Sequence, residues 1–371
     1  MVYFDNSAAT PCCDTAIRRV AEALNVTYAN PSSVHGAGLA AERLLDEARA
    51  AVAGALSVPA DCIYFTASGT ESNNLALLGA MKSRRGGRIV TSLTEHDSVL
   101  APIKALEQSG FEVIRLSPDE NGVVSAGLVA GAVTKDTVLV SLMAANNETG
   151  AIQSLAGIRR ALNAAGTDAV IHCDAVGALG KLDMKPYSAE ADLISVSGHK
   201  IYGPKGAGAL YVKKGVRVKP LVHGGGQEGG LWAGTQPLPA ITGMAGALAE
   251  LDIQSDRAHA ARLKERLEQG LESLGGQVNA RTGFPFILSF SLPGYKSETV
   301  INYLSGRDIH ISAGSACSKG KQSHVLVAQG LPKERTDSAL RASFGRQNTE
   351  QEIDMLLSAL SDAKAHIQKI R

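Results

Sequence analysis

Between residues 62 and 213, short apolar runs alternate with longer segments whose apolar residues recur at helical spacing. The runs predict strands at 63–66, 88–92, 112–116, 137–143, 169–174, 192–197 and 208–212, and the segments between them predict helices at 72–81, 98–108 and 156–165. Strands that alternate with helices favour a mostly parallel sheet covered by helices on both faces. The predicted fold class is therefore α/β, with a large, mostly parallel seven-stranded sheet.

The pattern changes towards the C-terminus. A long helix is predicted over 240–274, followed by a strand at 286–292, a helix at 297–305, strands at 309–312 and 339–344, and a final helix at 349–370. This order is typical of a smaller α+β domain. Because 371 residues exceed one ordinary core, we expect a large domain at 12–250 and a small domain formed by 1–11 and 251–371.

Composition excludes several classes of protein. The chain is 44% hydrophobic and 20% charged, with a net charge of +1, so it lacks the basic excess of a nucleic-acid-binding surface. No apolar span approaches membrane length, and the first residues lack a signal-peptide pattern. We expect a cytoplasmic protein that binds neither nucleic acid nor membrane. The five cysteines are scattered and form no C-x-x-C pair, which argues against both a disulfide framework and a zinc ribbon.

Lys200 lies in the most specific motif of the chain, Ser-Val-Ser-Gly-His-Lys-Ile-Tyr-Gly-Pro-Lys-Gly at 195–206. A lysine delivered by a buried strand into a glycine-rich turn can form a Schiff base with an aldehyde cofactor. Pyridoxal 5′-phosphate needs such a lysine, an acid opposite its ring nitrogen and donors around its phosphate. We assign these roles to Lys200, to Asp174 at the end of the 169–174 strand, and to Ser197 and His199.

Other candidates follow predicted strands, where ligands of parallel sheets bind. Gly69 and Thr70 begin a helix whose N–H groups suit a phosphate, although a capped helix would look the same. His96 follows the 88–92 strand and could stack on a cofactor ring or move protons, although lone histidines are more often structural. Asn147 could donate to the cofactor's phenolic oxygen or to a substrate carboxylate, or else form an Asx-turn.

Two further candidates lie later in the chain. Arg341 could bind an amino-acid carboxylate in bidentate fashion, or form a surface salt bridge. Thr235 offers a hydroxyl at the far end of a glycine-rich segment that begins at Gly224.

Together these segments resemble the cysteine desulfurases of the NifS/IscS type, class V aminotransferase relatives with the aspartate-aminotransferase-like fold (fold type I). The resemblance runs from residues 4–11 through 30–33 and all the segments above. It implies a phosphate site formed by Gly69, Thr70, Ser197 and His199, with Thr235 contributed by the second subunit of a homodimer. It also implies that His96 stacks on the ring, that Asn147 and Asp174 hold the ring, and that Arg341 binds the substrate carboxylate.

Cys317 distinguishes a desulfurase from other enzymes of this class. It lies at 312–321, a stretch of small residues without apolar periodicity, where a thiolate could attack the sulfur of bound L-cysteine. The resemblance implies conversion of L-cysteine to L-alanine. The persulfide would then pass to an acceptor, either an iron–sulfur scaffold or a thiolation enzyme. No resident metal is expected, although Cys317 could ligate an iron–sulfur cluster transiently. The alternatives are a selenocysteine lyase, another class V aminotransferase, and a non-catalytic relative.

The chain departs from the family pattern in three places. Gly177 stands where the family usually has a glutamine that bonds the cofactor's phenolic oxygen, so this chain lacks that side-chain donor. Trp232 stands where the family commonly has an arginine, so the contacts to the cofactor phosphate are expected to differ from the family pattern. The sequence ends at Arg371, soon after the last predicted helix, without the tail through which some relatives dock an iron–sulfur scaffold.

Overall fold

The computed structural model describes residues 1–314 and 322–369. The strands are β1 (Val2–Tyr3), β2 (Ile63–Thr66), β3 (Arg88–Ser92), β4 (Glu112–Leu116), β5 (Thr137–Met143), β6 (Val170–Asp174), β7 (Leu193–Ser197), β8 (Gly208–Val212), β9 (Gln277–Val278), β10 (Ile287–Ser291), β11 (Ile309–His310) and β12 (Ala339–Ser343). Each of the seven strands predicted between residues 62 and 213 agrees with an observed strand to within one residue at either end.

The helices are α1 (Asp14–Asn25), α2 (Gly36–Leu56), α3 (Gly69–Met81), α4 (Asp97–Gln108), α5 (Ala126–Ala132), α6 (Ile158–Ala164), α7 (Lys185–Glu190), α8 (Leu238–Ala249), α9 (Ile253–Ser273), α10 (Ser297–Ser305), α11 (His324–Ala328), α12 (Lys333–Asp337) and α13 (Glu350–His366). Short 3-10 helices cover Ala60–Cys62, Gly198–Lys200 and Gln227–Gly230. Among the described residues, no helix is both long enough and apolar enough to cross a bilayer.

The seven-stranded sheet has the strand order β2-β8-β7-β6-β5-β3-β4. Only β8 runs against its neighbours, and all the other pairs are parallel. Every residue of β5 is buried, and because alternate side chains of a strand point to opposite faces, both faces of the sheet are covered there. The predicted mostly parallel sheet is confirmed.

The helix predicted over 240–274 is wrong as a single element. The structure has α8 and α9 instead, separated by residues 250–252. The Asp252 side chain accepts a hydrogen bond from the Ser255 backbone N–H at 3.0 Å, which caps the first turn of α9. An aspartate that caps a new helix competes with continuation of the preceding one. The apolar periodicity continued across this break and concealed it.

Residues outside the large sheet form two smaller ones. Strands β12, β10 and β9 make an antiparallel sheet, and β1 pairs in parallel with β11. Ser312 forms an isolated bridge to Arg341, which brings the end of the 309–312 segment beside β12. The final helix begins with a capping box between Thr349 and Glu352, and it ends at His366 rather than at the predicted residue 370. The domain boundaries at residues 12 and 250 stay a prediction.

Candidate active site

The carboxyl ends of β2, β3, β5, β6 and β7 surround a cavity of about 240 Å³. Parallel strands place the residues that follow them at the same edge of a sheet, so candidates far apart in the sequence meet here. The predicted site residues that line the cavity are Gly69, Thr70, His96, Asn147, Asp174, His199, Lys200 and Arg341.

Asp174 ends β6 and presents a buried carboxylate to the cavity. The side chain is held by two neutral donors, the Asn73 Nδ2 group at 2.8 Å and the Val176 backbone N–H at 2.9 Å. Burial raises the pKa of Asp174, and the Val176 N–H, the His96 ring, Asn73 and Lys200 oppose that rise. A buried carboxylate with neutral donors is suited to a cationic ligand in the cavity.

His96 caps the start of α4 and is connected to Asp174 through side chains. The Ser98 backbone N–H donates to His96 Nδ1 at 3.1 Å, and Ser98 Oγ lies 2.8 Å from the same nitrogen. Asn73 Nδ2 donates to both Ser98 Oγ and Asp174. Because Nδ1 accepts the backbone bond, the neutral ring carries its proton on Nε2. The sequence missed Asn73 and Ser98, because neither bond can be inferred from local pattern.

Gly69 and Thr70 begin α3, and Ser68 caps that helix by accepting from the Glu71 backbone N–H at 3.2 Å. A Cβ added to Gly69 would lie 2.5 Å from Val176 Cγ2, so only glycine allows this close approach. The first backbone N–H groups of a helix have no partner within it. The start of α3 therefore offers amide donors at the cavity wall, as expected for an anion site.

His199 lies two residues beyond β7 and lines the same cavity. Its Nδ1 atom is 2.8 Å from Ser197 Oγ, so Ser197 orients the ring rather than lining the cavity itself. Burial lowers the pKa of His199 to about 4, with further lowering by Lys200, Lys205 and Lys181. The ring is neutral at physiological pH, and the nearby lysines make this part of the cavity electropositive.

Lys200 ends the short helix Gly198–Lys200 and extends its amine towards the N-terminal segment. Its Nζ donates to the backbone oxygen of Ala8 at 2.9 Å and to that of Ser7. Ser7 and Ala8 also line the cavity. The amine is thus placed at the cavity wall by carbonyl groups that no local pattern around Lys200 would have identified.

Arg341 is not a surface residue, since its side chain is 2% exposed. Its Nη2 donates to Asp5 Oδ1 at 2.6 Å and its Nη1 to the Asn147 backbone oxygen at 2.7 Å. Its Nε is buried without a hydrogen-bond partner among the described residues. The salt-bridge alternative considered for Arg341 is therefore partly correct, but the pair lies at the cavity rather than at the surface.

The neighbouring asparagines divide the two roles that the sequence left open for Asn147. Asn146 makes the turn, because its Oδ1 accepts from the backbone N–H groups of Glu148 and Thr149, each at 2.9 Å. Asn147 lines the cavity.

Thr235 is exposed and does not line the cavity formed by this chain. The preceding Trp232 donates its indole N–H to Glu71 Oε1 at 2.6 Å, and Glu71 also accepts from the Ala67 backbone N–H. Trp232 therefore braces the turn that leads into α3. Cys317 lies outside the described residues.

Gly177 lies against the end of β5, and its substitution is expected to destabilise the protein. A Cβ at this position would lie 2.8 Å from the Ala145 backbone oxygen, so the backbone must shift. We expect both Gly177→Ala and Gly177→Gln to lower the free energy of unfolding by about 1–3 kcal/mol in denaturant titrations. Gly54→Ala in α2 is the control, because nothing lies within 4 Å of its added Cβ. Equal stability of Gly177→Ala and the unchanged chain would show that the backbone yields without cost.

Comparison with known proteins places these features in a family. The model of aminotransferase class V matches residues 2–356. A curated protein of Lactobacillus delbrueckii subsp. bulgaricus, named NifS/IcsS protein homolog, is 40% identical over 100% of this chain and 99% of its own length. A protein of Photobacterium profundum named cysteine desulfurase IscS is 37% identical over 100% of this chain and 93% of its own.

Solved structures agree with the sequence comparisons. A structure described as a NifS-like protein superimposes with a TM-score of 0.93 and 36% sequence identity, covering 99% of this chain and 100% of that one. This likeness confirms the predicted aspartate-aminotransferase-like fold class, and the full-length matches confirm the family resemblance seen in the motifs. The chain belongs to the class V aminotransferase family.

Proposed function

We propose that this chain is a pyridoxal-phosphate-dependent cysteine desulfurase, which converts L-cysteine to L-alanine and passes the sulfur to Cys317 as a persulfide. The observation that carries the proposal is that a single cavity joins a buried carboxylate, a lysine amine and a buried guanidinium, on Asp174, Lys200 and Arg341. The full-length relative named cysteine desulfurase IscS supports the choice of reaction.

The residues of the cavity fit pyridoxal 5′-phosphate. Asp174 is a buried acid that accepts from two neutral donors, Asn73 and the Val176 backbone N–H, and a protonated ring nitrogen would give it a cationic partner. The start of α3 at Gly69 and Thr70 provides backbone donors for the phosphate, and the close approach there leaves no room for a side chain at Gly69. His199, oriented by Ser197, would complete the phosphate site.

The ring would lie between the strand ends that carry His96, Asn147 and Asp174. We propose that His96 stacks on the ring, because its Nδ1 is occupied by Ser98 and its orientation is therefore fixed. Asn147, which lines the cavity, would donate to the phenolic oxygen or to the substrate carboxylate.

When bound, pyridoxal 5′-phosphate supplies the electron sink that stabilises negative charge at the substrate α-carbon. Arg341 binds the substrate carboxylate, and its Asp5 and Asn147 contacts fix the guanidinium plane before substrate arrives. Lys200 Nζ moves the proton at the substrate α-carbon, and His96 holds a proton on Nε2.

Cys317 accepts the sulfur. Its thiolate attacks the substrate sulfur, so that a sulfur–sulfur bond forms while the bond between Cβ and sulfur breaks. The electron pair of the broken bond remains with the substrate, where a proton completes the methyl group of alanine. This role follows from the sequence around Cys317 and from the family resemblance.

The test is to incubate the purified chain with L-cysteine, quantify alanine by amino-acid analysis, and search for a persulfide on Cys317 by mass spectrometry. Alanine and a persulfide in equal amounts during the first turnover support the proposal. Pyruvate-dependent turnover without sulfur release would instead indicate an aminotransferase. A higher kcat/KM for L-selenocysteine than for L-cysteine would indicate a selenocysteine lyase. A protein that binds no cofactor would indicate a non-catalytic relative.

The proposal includes a homodimer in which Thr235 of each subunit reaches the phosphate of the other. Thr235 is exposed and lies outside the cavity of its own chain, and Glu228 holds its segment by pairing with Arg49 at 2.8 Å and with the Gln236 side chain at 3.1 Å. The sulfur acceptor would be an iron–sulfur scaffold or a thiolation enzyme. A cytoplasmic location stays a prediction.

Mixing two defective variants tests the shared site. We expect Thr235→Ala to weaken cofactor binding about tenfold or more, since a hydrogen bond to a charged group contributes about 1.5–3 kcal/mol. A mixed dimer of Thr235→Ala with Lys200→Ala should regain one intact site, because one subunit supplies Lys200 and the other Thr235. Cofactor titration of the mixture should therefore show tight sites that neither variant has alone. If a verified mixed dimer shows no tight cofactor sites, Thr235 contributes either to the site of its own chain or to no site at all.

A further inference from the structure

Lys181 is a second lysine of the cavity that also contains Lys200. It ends the turn after β6, where its backbone N–H donates to the Ala178 oxygen at 2.9 Å. Its side chain is buried, and Nζ donates to the backbone oxygen of Lys200 at 3.1 Å. Lys181 lies outside the motifs that predict the site from the sequence. The contact joins the turn after β6 directly to the residue assigned to bind the cofactor.

The charged groups around Lys181 are mostly cationic. Lys200 and His199 face it from the turn after β7, and Arg257 of α9 donates to its backbone oxygen at 3.3 Å. Within residues 1–314 and 322–369, no carboxylate forms an ion pair with Lys181. The other ionisable side chains that line the cavity are His96, Asp174 and Arg341.

Proximity couples these groups electrostatically. Burial, followed by the charge of Lys200, lowers the pKa of Lys181 to about 7. Lys181 in turn contributes to the lowered pKa of His199. Such coupling is reciprocal, so a proton on either amine disfavours a proton on the other. An unprotonated amine is the nucleophilic form of lysine, which is the form that Lys200 needs to bind an aldehyde.

We propose that Lys181 is a positioning residue of this site, whose Nζ fixes the backbone carbonyl of Lys200 and whose ammonium form disfavours a proton on the Lys200 nitrogen in the same cavity. The proposal rests on the proposed function, because it takes Lys200 as the amine that binds the cofactor. Lys181 acts through Lys200 and transfers no proton to the substrate.

Lys264 provides a matched control for a purely structural role. It is as exposed as Lys181, at 8%, and its Nζ also donates to backbone oxygens, those of Thr282 and Phe284. Burial lowers its pKa as well. Lys264 does not line the cavity, so its replacement removes a buried, carbonyl-bound ammonium without changing the charge near Lys200.

The experiment titrates the absorbance of the lysine-bound cofactor with pH, without substrate, in the unchanged protein and in Lys181→Met, Lys181→Arg and Lys264→Met. We expect Lys181→Met to raise the pH midpoint by about one unit, because a like charge has been removed. Lys181→Arg keeps the charge and should keep the midpoint near that of the unchanged protein. Lys264→Met should leave the midpoint unchanged even where it lowers stability. A folded, cofactor-bound Lys181→Met protein with an unchanged midpoint would overturn the proposal.

A second measurement needs no variant of Lys181. In the cofactor-free protein, the rate at which an acetylating reagent labels Lys181 should follow a pH midpoint in the neutral range, and Lys200→Ala should raise that midpoint because it removes the neighbouring charge. A Lys181 midpoint near 10.4, the ordinary value for lysine, that is insensitive to Lys200→Ala would overturn the proposal even if Lys181→Met did not fold.

The two proposals can fail separately. Retention of covalently bound cofactor by Lys200→Ala would refute the assignment of Lys200 in the proposed function. Loss of cofactor from Lys200→Ala, combined with an unchanged midpoint in Lys181→Met, would refute only the role of Lys181.

Discussion

Lys200→Ala is expected to lose covalently bound pyridoxal 5′-phosphate and to form alanine from L-cysteine on the order of 10³-fold more slowly. The amine is placed at the cavity wall by the backbone oxygens of Ser7 and Ala8, and no methyl group can replace it as a nucleophile or in proton transfer. Borohydride reduction followed by mass spectrometry measures covalent retention, and the initial rate of alanine formation measures turnover.

Lys205→Ala is the matched control for Lys200→Ala. Lys205 belongs to the same glycine-rich motif but is exposed and does not line the cavity. We expect it to keep the cofactor and to form alanine at a rate close to that of the unchanged protein. A reduced adduct on Lys200→Ala would mean that another amine carries the cofactor, and peptide mapping would then show whether Lys181 does.

The strand ends that form the site could be predicted from the sequence. Strands β5 and β6 are buried along nearly all their length because both faces of the sheet are covered, so most of their residues are apolar and their bounds are visible as runs. Asn147 and Asp174 follow or end such runs, and the geometry of a parallel sheet then brings them to one edge. These predictions needed only local pattern and one general rule of topology.

Contacts between distant segments could not be predicted from local pattern. The Asp5 carboxylate that binds Arg341 lies 336 positions away in the chain, and the lysine–carbonyl contact of Lys181 depends on how two turns pack. The burial of Arg341 therefore appears only in the structure. The break between α8 and α9 was missed because helical periodicity continues through Asp252 and gives no sign of the cap.

Cys317→Ser is expected to separate cofactor binding from sulfur transfer. A serine hydroxyl is not a soft nucleophile and cannot hold a persulfide, so we expect no persulfide on the protein and alanine formation reduced by about 10²-fold or more. The absorbance of the bound cofactor should be unchanged, because the residues proposed to hold it are untouched. Mass spectrometry after one turnover and the rate of alanine formation give the two readouts.

The cysteines within the described residues offer weaker alternatives to Cys317 and a control. Cys62 and Cys173 are buried, and burial raises the pKa of both thiols, which disfavours the reactive thiolate. Cys12 is exposed, so Cys12→Ser is the control, and we expect it to keep both the persulfide and the rate. Unchanged alanine formation in Cys317→Ser would refute the assignment of the nucleophile. Loss of the persulfide in Cys12→Ser but not in Cys317→Ser would place the sulfur acceptor at the N-terminal end of α1 instead.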